Sequence, residues 1–217
     1  MLAIAGGKGG SGKTTTALGL ASALAQHGRH PLVVDCDVDM PNLHHTADIP
    51  DFGGVDSLAD GARIEQATRE SVSVPGVNVL TGGRRSNLDE ALRRVSPWHG
   101  PVLLDCPAGI SPDATRPLRH GDATVLVSTD RPQAIEDTLT TARCARNLDA
   151  PPLTVFLRRT PGGDGSTWPD CEYPSVRVPT VQSPRDEPKL GQIWRNWASK
   201  LIRGEFRRLG GVSVDGY

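Results

Sequence analysis

The sequence predicts an α/β fold: a mostly parallel, doubly wound sheet with helices on both faces. Short apolar runs of Val, Leu, Ile and Ala alternate with helix-patterned segments along the 217 residues, as expected of a sheet buried on both sides. A glycine-rich loop joins the first apolar run to the first helix pattern. Two later runs end abruptly on aspartate, which sets carboxylates at the sheet's carboxyl edge, where open α/β sheets bind ligands.

Composition fits one domain over residues 1–217, large enough for a sizeable core. Lys plus Arg is 24 and Asp plus Glu 25, a net charge of −1, so there is no bulk attraction to nucleic acid or membrane, though local patches stay open. Cys36, Cys106, Cys144 and Cys171 form no C-x-x-C pair. They read as a reduced set, with Cys36 and Cys106 as small packing residues rather than metal ligands. No apolar run approaches membrane-spanning length and no leader pattern precedes the first strand, which predicts a cytoplasmic protein.

The first strand is Leu2-Ala3-Ile4-Ala5, followed by Gly6-Gly7-Lys8-Gly9-Gly10-Ser11-Gly12-Lys13-Thr14-Thr15 and a helix pattern over residues 17–25. Residues 7–14 satisfy G-x-x-x-x-G-K-[ST], a phosphate loop. Glycines let the backbone curl so that successive N–H groups point at phosphate oxygens, and the helix N-terminus adds partial positive charge. Lys13 suits the β and γ phosphates, and the Thr14 hydroxyl suits Mg²⁺. Gly28 is a helix stop.

Pro31-Leu32-Val33-Val34 is a buried strand leading to Asp35, Asp37 and Asp39. On an extended chain these three share a face, and their mutual repulsion calls for a cation, as at a magnesium–nucleotide site. The adjacent His44 and His45 diverge too far for two-point metal ligation and read as solvated or capping. Residues 51–61 form a loop and short helix, and residues 64–69 continue as helix. Residues 76–83 form a strand running into a glycine turn. Residues 86–95 form a helix capped by Ser86, with Asp89 and Glu90 in its first turn and Arg93 and Arg94 in its last.

Pro101-Val102-Leu103-Leu104-Asp105 is the second acid-ended strand, and Asp113 beyond it reads as a loop cap. Strands follow at residues 123–128, 153–157 and 176–179, with a helix through Leu148 after the first of them and a loop at 161–169. The last helix spans 190–209, with apolar residues at helical spacing. Residues 189–210 hold six basic residues (Lys189, Arg195, Lys200, Arg203, Arg207 and Arg208) against one acid, Glu205.

Lys8 lies inside the glycine run, where an ordinary phosphate loop does not require it. The stretch Lys8-Gly9-Gly10-Ser11-Gly12-Lys13-Thr14-Thr15 resembles the deviant Walker A box of the ParA/MinD ATPases, P-loop NTPases whose extra lysine reaches across a dimer interface to the partner's nucleotide. Asp35-Cys36-Asp37 with Asn42 is similar to the family's Walker A′ motif. The resemblance implies that Asp35 acts near Mg²⁺ through water, Asp37 positions the attacking water and Asn42 supports the site or dimer face, while Asp39 inherits no role. Asp105-Cys106-Pro107-Ala108-Gly109 resembles the family's combined Walker B and switch II box. It implies that Asp105 holds Mg²⁺ through water, and that Pro107 and Gly109 form a switch whose glycine amide senses the γ-phosphate.

The chain departs from the pattern at Arg158-Arg159, where the family commonly carries Asn-Arg with the Asn on the adenine base. An arginine there can stack on the base instead. Pro179 matches the end of the last strand, and the loop after it, 180–188, is implied to cover the base.

The implied activity is an ATP-dependent, dimerising switch. It binds ATP and Mg²⁺ as a homodimer, hydrolyses slowly under an activating protein partner, and positions cargo, division machinery or a plasmid. The last helix is implied to pack on the sheet, with residues beyond Ile202 open to a membrane or nucleoid surface. The alternative on the same fold is an ATP-dependent biosynthetic ligase of the dethiobiotin or cobyrinate synthetase type, which needs a small-molecule carboxylate or amide pocket.

Overall fold

The apolar runs at residues 2–5, 32–35 and 102–105 form short, fully buried strands, because Val, Leu and Ile suit a pleated surface covered on both sides. The computed structural model describes residues 1–169, 173–179 and 188–205. Its strands are β1 (Leu2–Ala5), β2 (Leu32–Asp35), β3 (Arg69–Glu70), β4 (Asn78–Leu80), β5 (Val102–Asp105), β6 (Ala123–Thr129), β7 (Pro152–Arg158) and β8 (Ser175–Val178). They form one sheet in the order β3-β4-β2-β5-β1-β6-β7-β8. Every pairing is parallel except that of β3 with β4. The chain winds outward from β1 to one side, then returns past it and winds outward to the other. This places β1 at a topological switch point, with a crevice at its carboxyl end.

The helices are α1 (Lys13–Gln26), α2 (Leu43–Ala47), α3 (Gly54–Ala59), α4 (Ile64–Ala67), α5 (Leu88–Val95), α6 (Pro112–Thr115), α7 (Pro132–Asn147) and α8 (Pro188–Ile202). Alternation along β1 divides the core: Leu2 and Ile4 pack with Leu20 and Leu24 of α1 and Trp194 and Trp197 of α8. Ala3 and Ala5 face Leu58 of α3 and Leu88 and Leu92 of α5. Ile135 and Ala142 of α7 cover Leu126, Val155 and Leu157. Trp194 lies so close to α1 that a Cβ on Gly19 would stand 2.3 Å from its ring. The apolar stripe of α8, Leu190, Trp194, Trp197 and Leu201, is buried against this layer, so α8 is a core helix.

Several local expectations change. Gly28 closes α1 at φ +72° as expected, but the helix at 64–69 stops at Ala67. Thr68 leaves helical backbone, and Arg69–Glu70 turns back as the short antiparallel edge β3. Ser86 caps nothing. It lies in a 3₁₀ turn, Arg85–Asn87, and its hydroxyl bonds the Asn87 side chain. Asp113 is no loop cap; Ser111 caps α6 by accepting from the Ala114 N–H, and Asp113 pairs with Arg85. The last helix ends at Ile202, short of 209, because Gly204 takes φ +66°. Residues 206–209, the loop 180–187 and Cys171 lie outside the described residues.

Candidate phosphate and metal site

The loop between β1 and α1 is shaped by what presses on it. A Cβ on Gly7 would strike the backbone of Asp137 at 2.4 Å, so only glycine lets α7 pass this close. The Gly7 N–H donates to Thr138 Oγ1 at 3.3 Å. Gly12 enters α1 at φ +101°, a left-handed conformation that glycine adopts without strain. At Gly9 and Gly10 a Cβ would meet nothing within 4 Å, so the middle of the loop is open to a ligand. Lys13 is buried and its Nζ donates to the Lys8 carbonyl at 3.4 Å, while the Lys8 side chain is exposed. The Ser11 Oγ is buried with no hydrogen-bond partner.

Behind the loop stand the two acid-ended strands. Asp35 and Asp105 are paired in register across β2 and β5. The Asp35 oxygens accept from the backbone N–H groups of Asp37, Asn42 and Leu43 at 3.0–3.1 Å. Burial raises its pKa to about 6, against the pull of those three amides. Burial, and then the Asp35 charge, raise Asp105 to about 7, with the Thr14 hydroxyl and Lys13 opposing. Asp105 Oδ1 is buried and has no hydrogen-bond partner. Thr14 Oγ1 donates to Asn42 Oδ1 at 3.2 Å, and the Asp37 carboxylate accepts from the Met40 N–H at 3.1 Å.

Asp39 does not share the face of Asp35 and Asp37. The strand ends at Asp35, and the chain beyond it bends, carrying Asp39 out to Arg85, 2.7 Å away. Cys36 and Cys106 are buried thiols whose pKa values are pushed well up by desolvation, as suits packing residues.

No group of three or more His, Cys, Asp or Glu able to hold a metal occurs among the described residues. An orphaned carboxylate oxygen, a second carboxylate and a threonine hydroxyl nonetheless fit Mg²⁺, which keeps several of its waters and needs few protein ligands.

The segment after β5 is joined to the loop: the Gly109 N–H, on a residue at φ +85°, donates to the Gly6 carbonyl at 3.0 Å. On the other side Arg158 reaches over from the end of β7, and its Nη2 donates to the Gly10 carbonyl at 2.8 Å. Arg158, Pro179, Gly12, Thr15, Thr16 and Trp194 help line a cavity of roughly 250 Å³ beside the start of α1. The two residues expected at a base, Arg158 and Pro179, therefore meet at one cavity.

Sequence reasoning missed Arg85 and Arg116. Arg85 pairs with both Asp39 and Asp113, and its carbonyl accepts from Arg116. Together they tie the loops after β2 and β5 to the turn after β4. The available signal was position: Arg84-Arg85 directly follows the glycine turn at the carboxyl end of a strand.

A profile of the CobQ/CobB/MinD/ParA nucleotide binding domain matches residues 2–202. The chain belongs to this family. Within it, an ATP-binding protein of Methanocaldococcus jannaschii is 31% identical over 169 residues, covering 73% of this chain and 63% of the relative. The septum site-determining protein MinD of Synechocystis is 25% identical over 148 residues, covering 63% of this chain and 56% of its own length. The chain thus spans less than two thirds of these relatives. Among solved structures, the cell division ATPase MinD of Pyrococcus furiosus superposes with a TM-score of 0.80 at 25% identity, over 93% of this chain and 98% of that one. The chain therefore carries a MinD/ParA-type nucleotide-binding fold. No helix among the described residues is long and apolar enough to cross a membrane.

Proposed function

We propose that this family member is an ATP-dependent switch that works as a pair of identical chains and hydrolyses ATP slowly. The observation that carries the reading is the pair of lysines on one loop: Lys13 is buried and its ammonium is held by the Lys8 carbonyl, while the side chain of Lys8 is turned out to solvent. Two cations at one phosphate site, one turned inward and one outward, suit a site completed by a second copy.

In this reading the loop backbone at Gly7, Gly9, Gly10, Ser11 and Gly12, with Lys13 and Thr15, takes the phosphates. Thr14, and through water Asp35 and Asp105, would hold Mg²⁺, which when bound offsets phosphate charge. Asp35, already engaged by three amides, shapes the loop that presents Asp37. Asp37 orients the attacking water, and the partner's Lys8 stabilises charge on the transferring phosphoryl group. Pro107 and Gly109 move when that group leaves. The readout is assembly and release of the pair, under a protein that stimulates hydrolysis, in positioning cargo, division machinery or DNA. The exposed cations of α8, Lys189 and Lys200, offer a contact to an anionic surface.

Lys8→Ala tests the pairing. It should abolish hydrolysis and keep ATP binding, measured by phosphate release and calorimetry. Turnover unchanged from the parent would sink the reading, and turnover appearing only with an added small-molecule carboxylate would favour a ligase.

A further inference from the structure

We propose that Thr138 is a positioning residue: its hydroxyl fixes the peptide group between Gly6 and Gly7 and, through that group, the direction in which Lys8 leaves the loop. The inference rests on the paired-switch reading above and names the residue that aims its outward lysine.

One peptide group joins Gly6 to Gly7, and it is bonded at both ends. Its carbonyl, on Gly6, accepts from the Gly109 N–H at 3.0 Å. Its N–H, on Gly7, donates to Thr138 Oγ1 at 3.3 Å. A trans peptide is planar, with its C=O and N–H pointing opposite ways. The segment after β5 therefore grips one edge of the plane and α7 grips the other. Turning the plane about its long axis breaks both bonds together.

Thr138 is 1% exposed. Its hydroxyl proton is committed to the Ala134 carbonyl, 2.7 Å away on the preceding turn of α7, which leaves the oxygen's lone pairs to the Gly7 N–H. Packing holds the same group from the sides. A Cβ on Gly6 would stand 2.3 Å from the Val127 carbonyl oxygen of β6, and one on Gly7 would strike Asp137 of α7. Removing the acceptor leaves a partly buried donor without compensation.

Only the two soft dihedrals of Gly7 separate this plane from Lys8. On the far side, the Lys8 carbonyl accepts from Lys13 Nζ at 3.4 Å. On the reading above, Lys13 turns to the phosphates when nucleotide binds and lets that carbonyl go. The Gly6–Gly7 plane is then what still aims Lys8, in a glycine run that would otherwise swing freely.

The test compares Thr138→Val, which keeps the shape and loses the hydroxyl, with Thr138→Ser, which keeps the hydroxyl. Phosphate release from Mg²⁺–ATP gives kcat, calorimetry with ATPγS gives affinity, and thermal melts check folding. Thr138→Val should lower kcat by about tenfold or more, as a misplaced group does, with ATPγS affinity within about threefold of the parent's. Thr138→Ser should bring kcat back to within about threefold of the parent's. Hydrogen exchange without nucleotide reads the clamp itself. In Thr138→Val the Gly7 amide should exchange faster, and so should the Gly109 amide, which holds the other end of the plane, while residues 139–147 of α7 stay as protected as before. If Thr138→Val melts well below the parent, Thr138→Ala takes its place. A parent-like kcat in that variant, Gly109 exchange equal to the parent's, or an equal loss of kcat in Thr138→Ser would overturn the inference and leave the paired-switch reading standing. A parent that binds ATPγS and releases no phosphate from ATP would overturn both.

Discussion

Asp105 shows what the site costs a single residue. Its carboxyl is buried beside Asp35, one oxygen has no hydrogen bond, and its pKa stands at about 7 against an ordinary 3.8. A group whose folded pKa is raised gives stability that is complete below its unfolded pKa and lost as pH climbs through the folded value. With Asp35 at about 6 and Asp105 at about 7, the ligand-free protein should lose stability between about pH 4 and pH 7 through these two groups. Asp105→Asn isolates the effect. It should raise the melting temperature of the ligand-free protein at pH 8 and leave it nearly unchanged at pH 4. A shift of equal size at both values would show that the buried charge is not the cause. At this scale the sequence was legible for the carboxylates, because each ends an apolar run, and illegible for their partners. Asp39 looked like a third site carboxylate because alternation was extended past the end of β2. Arg85, which holds it, is 46 residues away in the chain.

Among elements, α1 and α8 pack in very close contact. Trp194 occupies the space a side chain at Gly19 would need, so Gly19→Ala must push the indole or the helix aside. An overpacked contact of this kind costs about 1–3 kcal/mol, readable as a lower urea midpoint, and a midpoint unchanged from the parent would mean that α8 shifts freely. Arg85 should behave in the opposite way. Its side chain is 53% exposed, and its partners Asp39 and Asp113 are 65% and 14% exposed, so Arg85→Ala should leave the urea midpoint nearly unchanged. Hydrogen exchange should nevertheless speed up at residues 37–42 and 109–113, the two segments it joins. Protection unaltered there would show that each loop holds its own shape. Long strands and helices were readable in the sequence because their patterns are local. β3 was not, since two polar residues carry no period. The roles of Ser86 and Asp113 were misjudged because short-range capping rules cannot see partners that tertiary folding supplies.

At the scale of the whole molecule, winding in two directions from β1 gathers the phosphate loop, both acid-ended strands and the segment 107–109 at one crevice. That gathering was legible early, because the order strand, loop, helix, acid-ended strand admits few topologies. The far wall was less so: the cavity at Arg158 depends on how β7, β8 and α8 meet, and periodicity does not encode this. If two copies close over the crevice, Asp37→Ala should stall the pair with ATP bound, giving a dimer by sizing chromatography with ATP and a monomer without it. A monomer under both conditions would count against pairing. Exposed Met40 and Ile110, which follow the Asp37 and Gly109 segments, are the apolar surface such closure would cover.

The hydrogen bond from the Gly109 N–H to the Gly6 carbonyl ties the segment after β5 to the glycine loop, so on the reading proposed above the two move as a single mechanical circuit. A protein that grasps residues 107–110 and draws them away must break a contact rooted in the phosphate loop. Such a protein therefore alters the grip on nucleotide, and nucleotide alters its own grip on this segment by the same factor. On that reading, a regulator that never touches the nucleotide would still control its release.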